Sequence, residues 1–202
     1  MASVPHDATH DTHDHHGHDD HHDHHPTGLM RYVTTTNHKD IGSMYLWFSF
    51  AMFISGGIMA LLIRAELFQP GLQVVRPELF NQLTTLHGIV MIFGAIMPAF
   101  VGFANWMLPL QLGAPDMAFA RMNNWSFWLL PPAAILLIGS FFVPGGAAAG
   151  GWTLYPPLSV QAGMGMDMMI FAVHIMGASS IMGSINIITT ILNLRTPGMT
   201  MM

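Results

Sequence analysis

Apolar residues in this chain are gathered into four long runs, set apart by short polar or Gly/Pro-rich breaks. The longest run, Leu79 to Leu112, contains no Asp, Glu, Lys or Arg. Coiled as a helix at 1.5 Å per residue it reaches about 50 Å, against roughly 30 Å for the hydrocarbon core of a bilayer. The run before it, Ile41 to Ile63, is uncharged and ends at Arg64; it follows a polar approach, Arg31 to Asp40, whose Thr and Asn residues suit a helix cap. The third, Trp125 to Val143, carries Pro131 and Pro132, which are expected to bend it near its start. Next comes a Gly/Pro-rich loop, residues 144–159, whose Trp152 and Tyr155 suit the membrane interface. The fourth run, from about Gly165 to Leu194, includes HIMGASSIMGSIN, with small residues spaced for tight helix contact. The pattern predicts an all-α integral membrane protein with transmembrane helices at about 41–64, 79–112, 125–143 and 165–194.

Composition agrees. Of 202 residues, 51% are hydrophobic and 8% charged, whereas about a quarter are charged in soluble domains. The formal charge of −5 says little about the membrane part, because Asp7, Asp11, Asp14, Asp19, Asp20 and Asp23 all lie near the N-terminus. That stretch interleaves Asp with ten of the 13 histidines. Unable to bury a core, residues 1–28 are expected to form a disordered, solvated cytoplasmic tail, with loose metal buffering as the second reading. The tail lacks the basic patch and short apolar core of a secretory signal, so the first span is expected to do the targeting. Zero cysteines exclude disulfides, thiolate metal sites and iron–sulfur clusters. The 19 methionines are scattered along the apolar runs and read as soft packing. With six Lys and Arg in all, no nucleic-acid partner is expected.

Few residues carry chemistry inside the bilayer. His87 lies a third of the way along the longest run, where an ionisable side chain is a functional-site hypothesis in itself. Thr84, Thr85 and Gly88 leave small surroundings and IVMIFG an apolar wall, so a flat ligand such as haem can approach; a hydrogen bond to a neighbouring helix explains a lone histidine equally well. Asp167 and His174 share one helix face, but about 10 Å of rise separates them. Packing and hydrogen bonding at an interhelical contact is expected of both. Arg64 taken alone reads as a snorkelling anchor. The rival from another class is a divalent-metal (zinc) transporter or metal-binding membrane protein, since a His/Asp-rich tail on a few spans suits Zn²⁺. Its ligands near the midplane would have to come from His87, Asp167 and His174.

The string FNQLTTLHGIVMIF, together with LIRAELFQPG and GWTLYPPL, closely resembles subunit I of the haem–copper terminal oxidases, and the likeness covers residues 31–202 almost continuously. The resemblance implies that His87 is an axial ligand of the low-spin haem and that Arg64 hydrogen-bonds the haem's peripheral carbonyl group. Glu66, Gln69, Gly71 and Gln73 match a stretch that supplies oxygens to a structural Ca²⁺ or Na⁺. There Gln69 stands where some bacterial members use histidine, and another ligand comes from a distant segment outside this chain. Asp116, Asn123 and Asn105 match the family's proton-uptake funnel, in which a surface carboxylate collects protons and asparagines hold water. Tyr45, Ser126, Ser179 and Ser180 fall where relatives line the same water path, although isolated hydroxyls in spans commonly bond the preceding turn's carbonyl.

In that family subunit I has twelve spans, so the chain reads as its N-terminal third; a truncated sequence, a broken gene and a true short protein are all compatible with that. The copper ligands, redox tyrosine, second axial ligand, oxygen-binding haem's ligand and funnel-ending glutamate belong to later spans, so no catalytic residue is expected here. Alone, the fragment is expected to be inactive and to bind haem weakly at most; a methionine as substitute second ligand has no motif behind it. The complete enzyme is expected to pass electrons from cytochrome c, or a quinol in some relatives, through haem to a second haem paired with copper. There O₂ becomes water, coupled to proton pumping. Expected partners are the remaining C-terminal part of subunit I, oxidase subunits II and III, cytochrome c and membrane lipid. Arg31, Lys39, Arg121 and Arg195 on one side against Arg64 and Arg76 on the other predict cytoplasmic termini in a bacterial inner membrane.

Overall fold

The structure is a computed structural model and describes residues 28–200, so the expected disordered tail lies outside the described residues. Four helices are long and apolar enough to cross a membrane: His38–Glu66, Pro77–Leu112, Ala120–Phe142 and Met164–Asn193. No strand occurs among the described residues. Short helices, Leu29–Thr34 and Leu158–Gln161, precede the first and fourth spans.

Each span exceeds or matches its apolar run because polar residues join the helix at the ends. Asn37 caps the first span, its side chain accepting from the Lys39 N–H at 2.8 Å, as its place before the apolar run suggested. The third span starts at Ala120 rather than at Trp125. Its first turns are polar (Arg121, Asn123, Asn124), and hydropathy alone excluded them; yet Asn123 and Asn124 are buried. The bend expected at Pro131 and Pro132 is a break: helix Ala120–Trp128 ends, and Leu130–Gly139 begins with proline in its first turn. Proline has no N–H to continue the ladder.

The second span is not a uniform α-helix. Val90–Ile96 is a π-helix, and the Met97 N–H reaches back to the Ile92 carbonyl. Pro98 follows at once, and the Ser49 hydroxyl of the first span donates to the Ala95 carbonyl at 2.7 Å. A wider turn holds extra residues and lets the later half of the helix lag by roughly 100°. The His87 side chain bonds the first span, while Asn105 lies against Gly42 of the first span and its side chain bonds the third.

The first span packs mainly on the second and the third on the fourth, which also touches the second. The first seam is drawn tight by glycines. A Cβ on Gly42 would stand 3.0 Å from the Gly102 carbonyl oxygen, and one on Gly102 would stand 3.0 Å from Leu46 Cγ. The core between the spans includes Tyr45, Met52, Leu86, Ile89, Leu137 and Met169.

Candidate functional site

His87 is half-buried in the second span. Its Nδ1 lies 3.0 Å from the Gly56 carbonyl oxygen of the first span. A carbonyl only accepts, so Nδ1 carries the proton and Nε2 keeps its lone pair. Nε2 has no hydrogen-bond partner among the described residues. This is the arrangement by which a backbone carbonyl fixes the tautomer of a metal-binding imidazole. A Cβ added to Gly57, the next residue of the first span, meets nothing within 4 Å, whereas one on Gly88 would stand 3.3 Å from Trp152 Cβ, so the room expected beside Gly88 is taken by that side chain. An imidazole held in this orientation, with Nε2 unpartnered among the described residues, fits the chemistry of a haem-iron ligand. Arg64 projects, exposed, from the last turn of the same helix, about 12 Å of rise beyond Gly56.

At the opposite end of the bundle Asn105, Asn123, Tyr45, Ser126 and Ser179 form a hydrogen-bonded cluster. Asn105 and Asn123 are fully buried, and the Asn123 side-chain amide donates to the Asn105 side-chain carbonyl. The Asn105 amide donates to its own helix at Val101, and the Asn105 backbone carbonyl accepts from His38 Nδ1 at 2.8 Å. Deeper in, the Tyr45 hydroxyl lies 2.7 Å from Ser126 Oγ, Ser126 donates to the Asn123 carbonyl, and Ser179 donates to the Ser126 carbonyl at 2.6 Å. The preceding-turn bond is therefore made by Ser126, while Ser179 reaches across helices. Tyr45, Ser179 and Ser180 border a cavity of about 20 Å³, room for about one water. Asp116 lies outside this cluster, partly exposed in the loop before the third span, its carboxylate accepting from the Met117 N–H at 2.6 Å.

Asn186, which the sequence reading passed over, bonds this loop from the fourth span. It is fully buried, and its carbonyl oxygen accepts from the Phe119 N–H at 2.8 Å. One turn on, Thr190 Oγ1 accepts from the Ala118 N–H at 3.0 Å. Together they pin the loop that carries Asp116. Asn123 Oδ1 and Asn186 Nδ2 are buried without a protein partner among the described residues, atoms of the kind that ordered water satisfies.

At the far end Glu66 is buried, with Oε1 accepting from the Gln73 N–H at 3.0 Å and Oε2 from those of Val74 and Val75 at 2.6 and 2.9 Å. Glu66, Gln69 and Gly71 line a cavity of about 480 Å³. The Gln73 side chain turns instead to the Pro70 carbonyl.

Asp167 and His174 differ from expectation. Both lie on the exposed face of the fourth span, and His174 Nδ1 bonds its own helix at Ile170, 2.8 Å away. No contact among the four spans uses them, because the packed face is the other one, through Met169, Ala172, Met176 and Ser179. Nor do the described residues bring three or more His, Asp or Glu together as a metal-binding group, the convergence that the transporter reading needs.

Comparison with known proteins bears on the family. A family model described as cytochrome c and quinol oxidase polypeptide I matches residues 40–202. The chain belongs to this family. The probable cytochrome c oxidase subunit 1-alpha of Streptomyces avermitilis is 49% identical over 176 residues, which is 86% of this chain and 30% of that protein. Cytochrome c oxidase subunit 1 of Corynebacterium efficiens is 52% identical over 172 residues, 84% of this chain and 30% of that protein. The probable cytochrome c oxidase subunit 1-beta of Nocardia farcinica is 47% identical over 176 residues. The chain thus spans about 30% of the length of these curated relatives. Four apolar helices and membership of a membrane oxidase family make it a multi-pass membrane protein.

Proposed function

We propose that the chain supplies the haem-anchoring and proton-collecting part of a terminal oxidase's subunit I, and that electrons from cytochrome c pass through the haem held at His87 to reduce O₂ to water. The observation that carries this is the His87–Gly56 pairing, which leaves one ring nitrogen free in a membrane helix. Haem, when bound, supplies the one-electron chemistry. His87 would hold the haem iron through Nε2, with the Gly56 carbonyl orienting the ring. Arg64, exposed in the last turn of the first span, would supply positive charge to a haem held there. The second axial ligand, the copper ligands and the oxygen-binding haem belong to the remainder of subunit I, which with subunits II and III completes the enzyme.

In the same reading Asp116 gathers protons at the surface, Asn105, Asn123 and Asn186 hold water at the funnel's neck, and Tyr45, Ser126, Ser179 and Ser180 extend the polar path toward the bilayer centre. Proton delivery along this path serves both O₂ reduction and pumping. Four basic residues lie at the funnel end (Arg31, Lys39, Arg121, Arg195) against two at the Glu66 end (Arg64, Arg76), which supports a cytoplasmic funnel in a bacterial inner membrane. The Glu66 cavity is the place for Ca²⁺ or Na⁺.

The test is a reduced-minus-oxidised spectrum of the complete oxidase beside its His87→Ala variant. Loss of the low-spin haem band is the expected result; an unchanged band refutes the assignment.

A further inference from the structure

Asn105 has a backbone carbonyl that the α-helical pattern leaves without a donor. Four residues on stands Pro109, inside the helical segment Met97–Leu112. An α-helix pairs each carbonyl with the N–H four residues later, and proline has no N–H to give; its ring also crowds that carbonyl. Asn105 is fully buried, where a carbonyl without a donor is costly. The donor comes from another helix. His38 stands in the first turn of the first span, 6% exposed, with its Nδ1 2.8 Å from the Asn105 carbonyl oxygen. Since a carbonyl only accepts, Nδ1 carries the proton.

The consequence reaches the Asn105 side chain. Its amide donates back to the Val101 carbonyl at 2.9 Å, and its oxygen accepts from the Asn123 amide of the third span. With both ends of the side chain engaged, the place of the backbone decides whether that oxygen meets Asn123. Neighbouring ties to the first span go through Trp106 instead: its Nε1 donates to Ser43 Oγ at 3.2 Å, and Lys39 Nζ lies 5.6 Å from its ring centre. Among the described residues His38 alone bonds the Asn105 backbone from another helix.

We infer that His38 is a positioning residue for the proton path: its imidazole stands in for the N–H that Pro109 lacks, and holds the Asn105 carbonyl so that the Asn105–Asn123 pair stays closed. The inference rests on the reading of Asn105 as part of that path. A histidine that only filled space would be replaceable by any ring of its size. A donor is replaceable only by another donor, or by removing the proline that made one necessary.

The test uses the complete oxidase with His38→Phe, with Pro109→Ala and with both changes together. His38→Phe keeps a ring but no donor, and Pro109→Ala returns a backbone N–H to the Asn105 carbonyl. Hydrogen-exchange mass spectrometry over residues 101–108 and proton uptake in vesicles are read side by side, with the low-spin haem band as the check of assembly. In His38→Phe exchange is expected to be about fivefold faster, the effect of one lost hydrogen bond, with uptake slowed and the haem band kept. In the Pro109→Ala background the same change is expected to cost less than about twofold, because the two positions serve one carbonyl; independent sites would simply add. Exchange indifferent to His38→Phe overturns the inference, as does a His38→Phe effect as large with Pro109→Ala as without it. Should His38→Phe alone fail to assemble, assembly regained in the double variant supports the inference and continued failure overturns it. Exchange that quickens and is rescued while uptake keeps its rate supports His38 as the holder of Asn105, and the failure then belongs to the reading of Asn105 as a path residue.

Discussion

The imidazole of His87 gives its Nδ1 proton to the carbonyl of Gly56, 3.0 Å away on the neighbouring span. That bond joins the two most closely packed helices and decides which ring nitrogen stays available. It also makes Gly56 more than a spacer. A Cβ there would stand 2.6 Å from Met91 Sδ and 3.2 Å from Val90 Cγ1, so a branched side chain has to displace Met91 and crowd Val90 at this seam.

Gly56→Val is therefore expected to destabilise the bundle by about 1–3 kcal/mol, the usual range for overpacking, and to shift the low-spin haem band of the complete oxidase. Thermal unfolding checks the first effect and difference spectroscopy the second. A variant that melts normally and keeps its band would show that the close approach is dispensable.

The loop bearing Asp116 is tied down by two side chains of the fourth span, Asn186 to the Phe119 amide and Thr190 to the Ala118 amide. Removing either acceptor, by Asn186→Leu or Thr190→Val, is expected to cost about 1 kcal/mol locally and so to speed exchange of the matching amide about fivefold. Hydrogen-exchange mass spectrometry over residues 113–120 reads this directly.

Four membrane helices, the Asn37 cap and the interruption near Pro131 were legible in the sequence, because each follows from a local property: apolar length, a capping side chain, a missing N–H. The π-helix at Val90–Ile96 was not, since no residue there departs from an ordinary apolar helix and the Ser49 bond to Ala95 comes from 46 residues away. Phase was the other blind spot. The fourth span is apolar nearly all round, so hydropathy did not say whether Asn186 or His174 faces inward; packing places Asn186 in the core and His174 outside. Asn186 had a usable signal all the same, an amide deep in an apolar run, where an unpaired polar group is costly.

Tyr45→Phe removes the hydroxyl that lies 2.7 Å from Ser126 Oγ while keeping the ring packed edge-on against Phe127, with centroids 5.3 Å apart. Stability is expected to fall by only about 0.6–1 kcal/mol, typical of one hydrogen bond between membrane helices. Proton uptake by the complete oxidase in vesicles is expected to slow, with the haem bands unchanged. Uptake at the original rate would take Tyr45 off the path.

Glu66 holds three consecutive backbone amides, those of Gln73, Val74 and Val75. Glu66→Gln replaces one charged acceptor by a donor that these amides cannot use, so the loop from Leu67 to Arg76 is expected to loosen. Limited proteolysis within that loop, compared with and without added Ca²⁺, checks both the loosening and the cation's part in it.

The most direct test of His87 as an iron ligand is the low-temperature electron paramagnetic resonance spectrum of the oxidised complete enzyme with His87→Met. Exchange of imidazole for thioether on one side of the iron should displace the low-spin ferric g-values and shift the reduced haem band. Identical spectra in variant and parent would contradict the assignment of His87 to the haem.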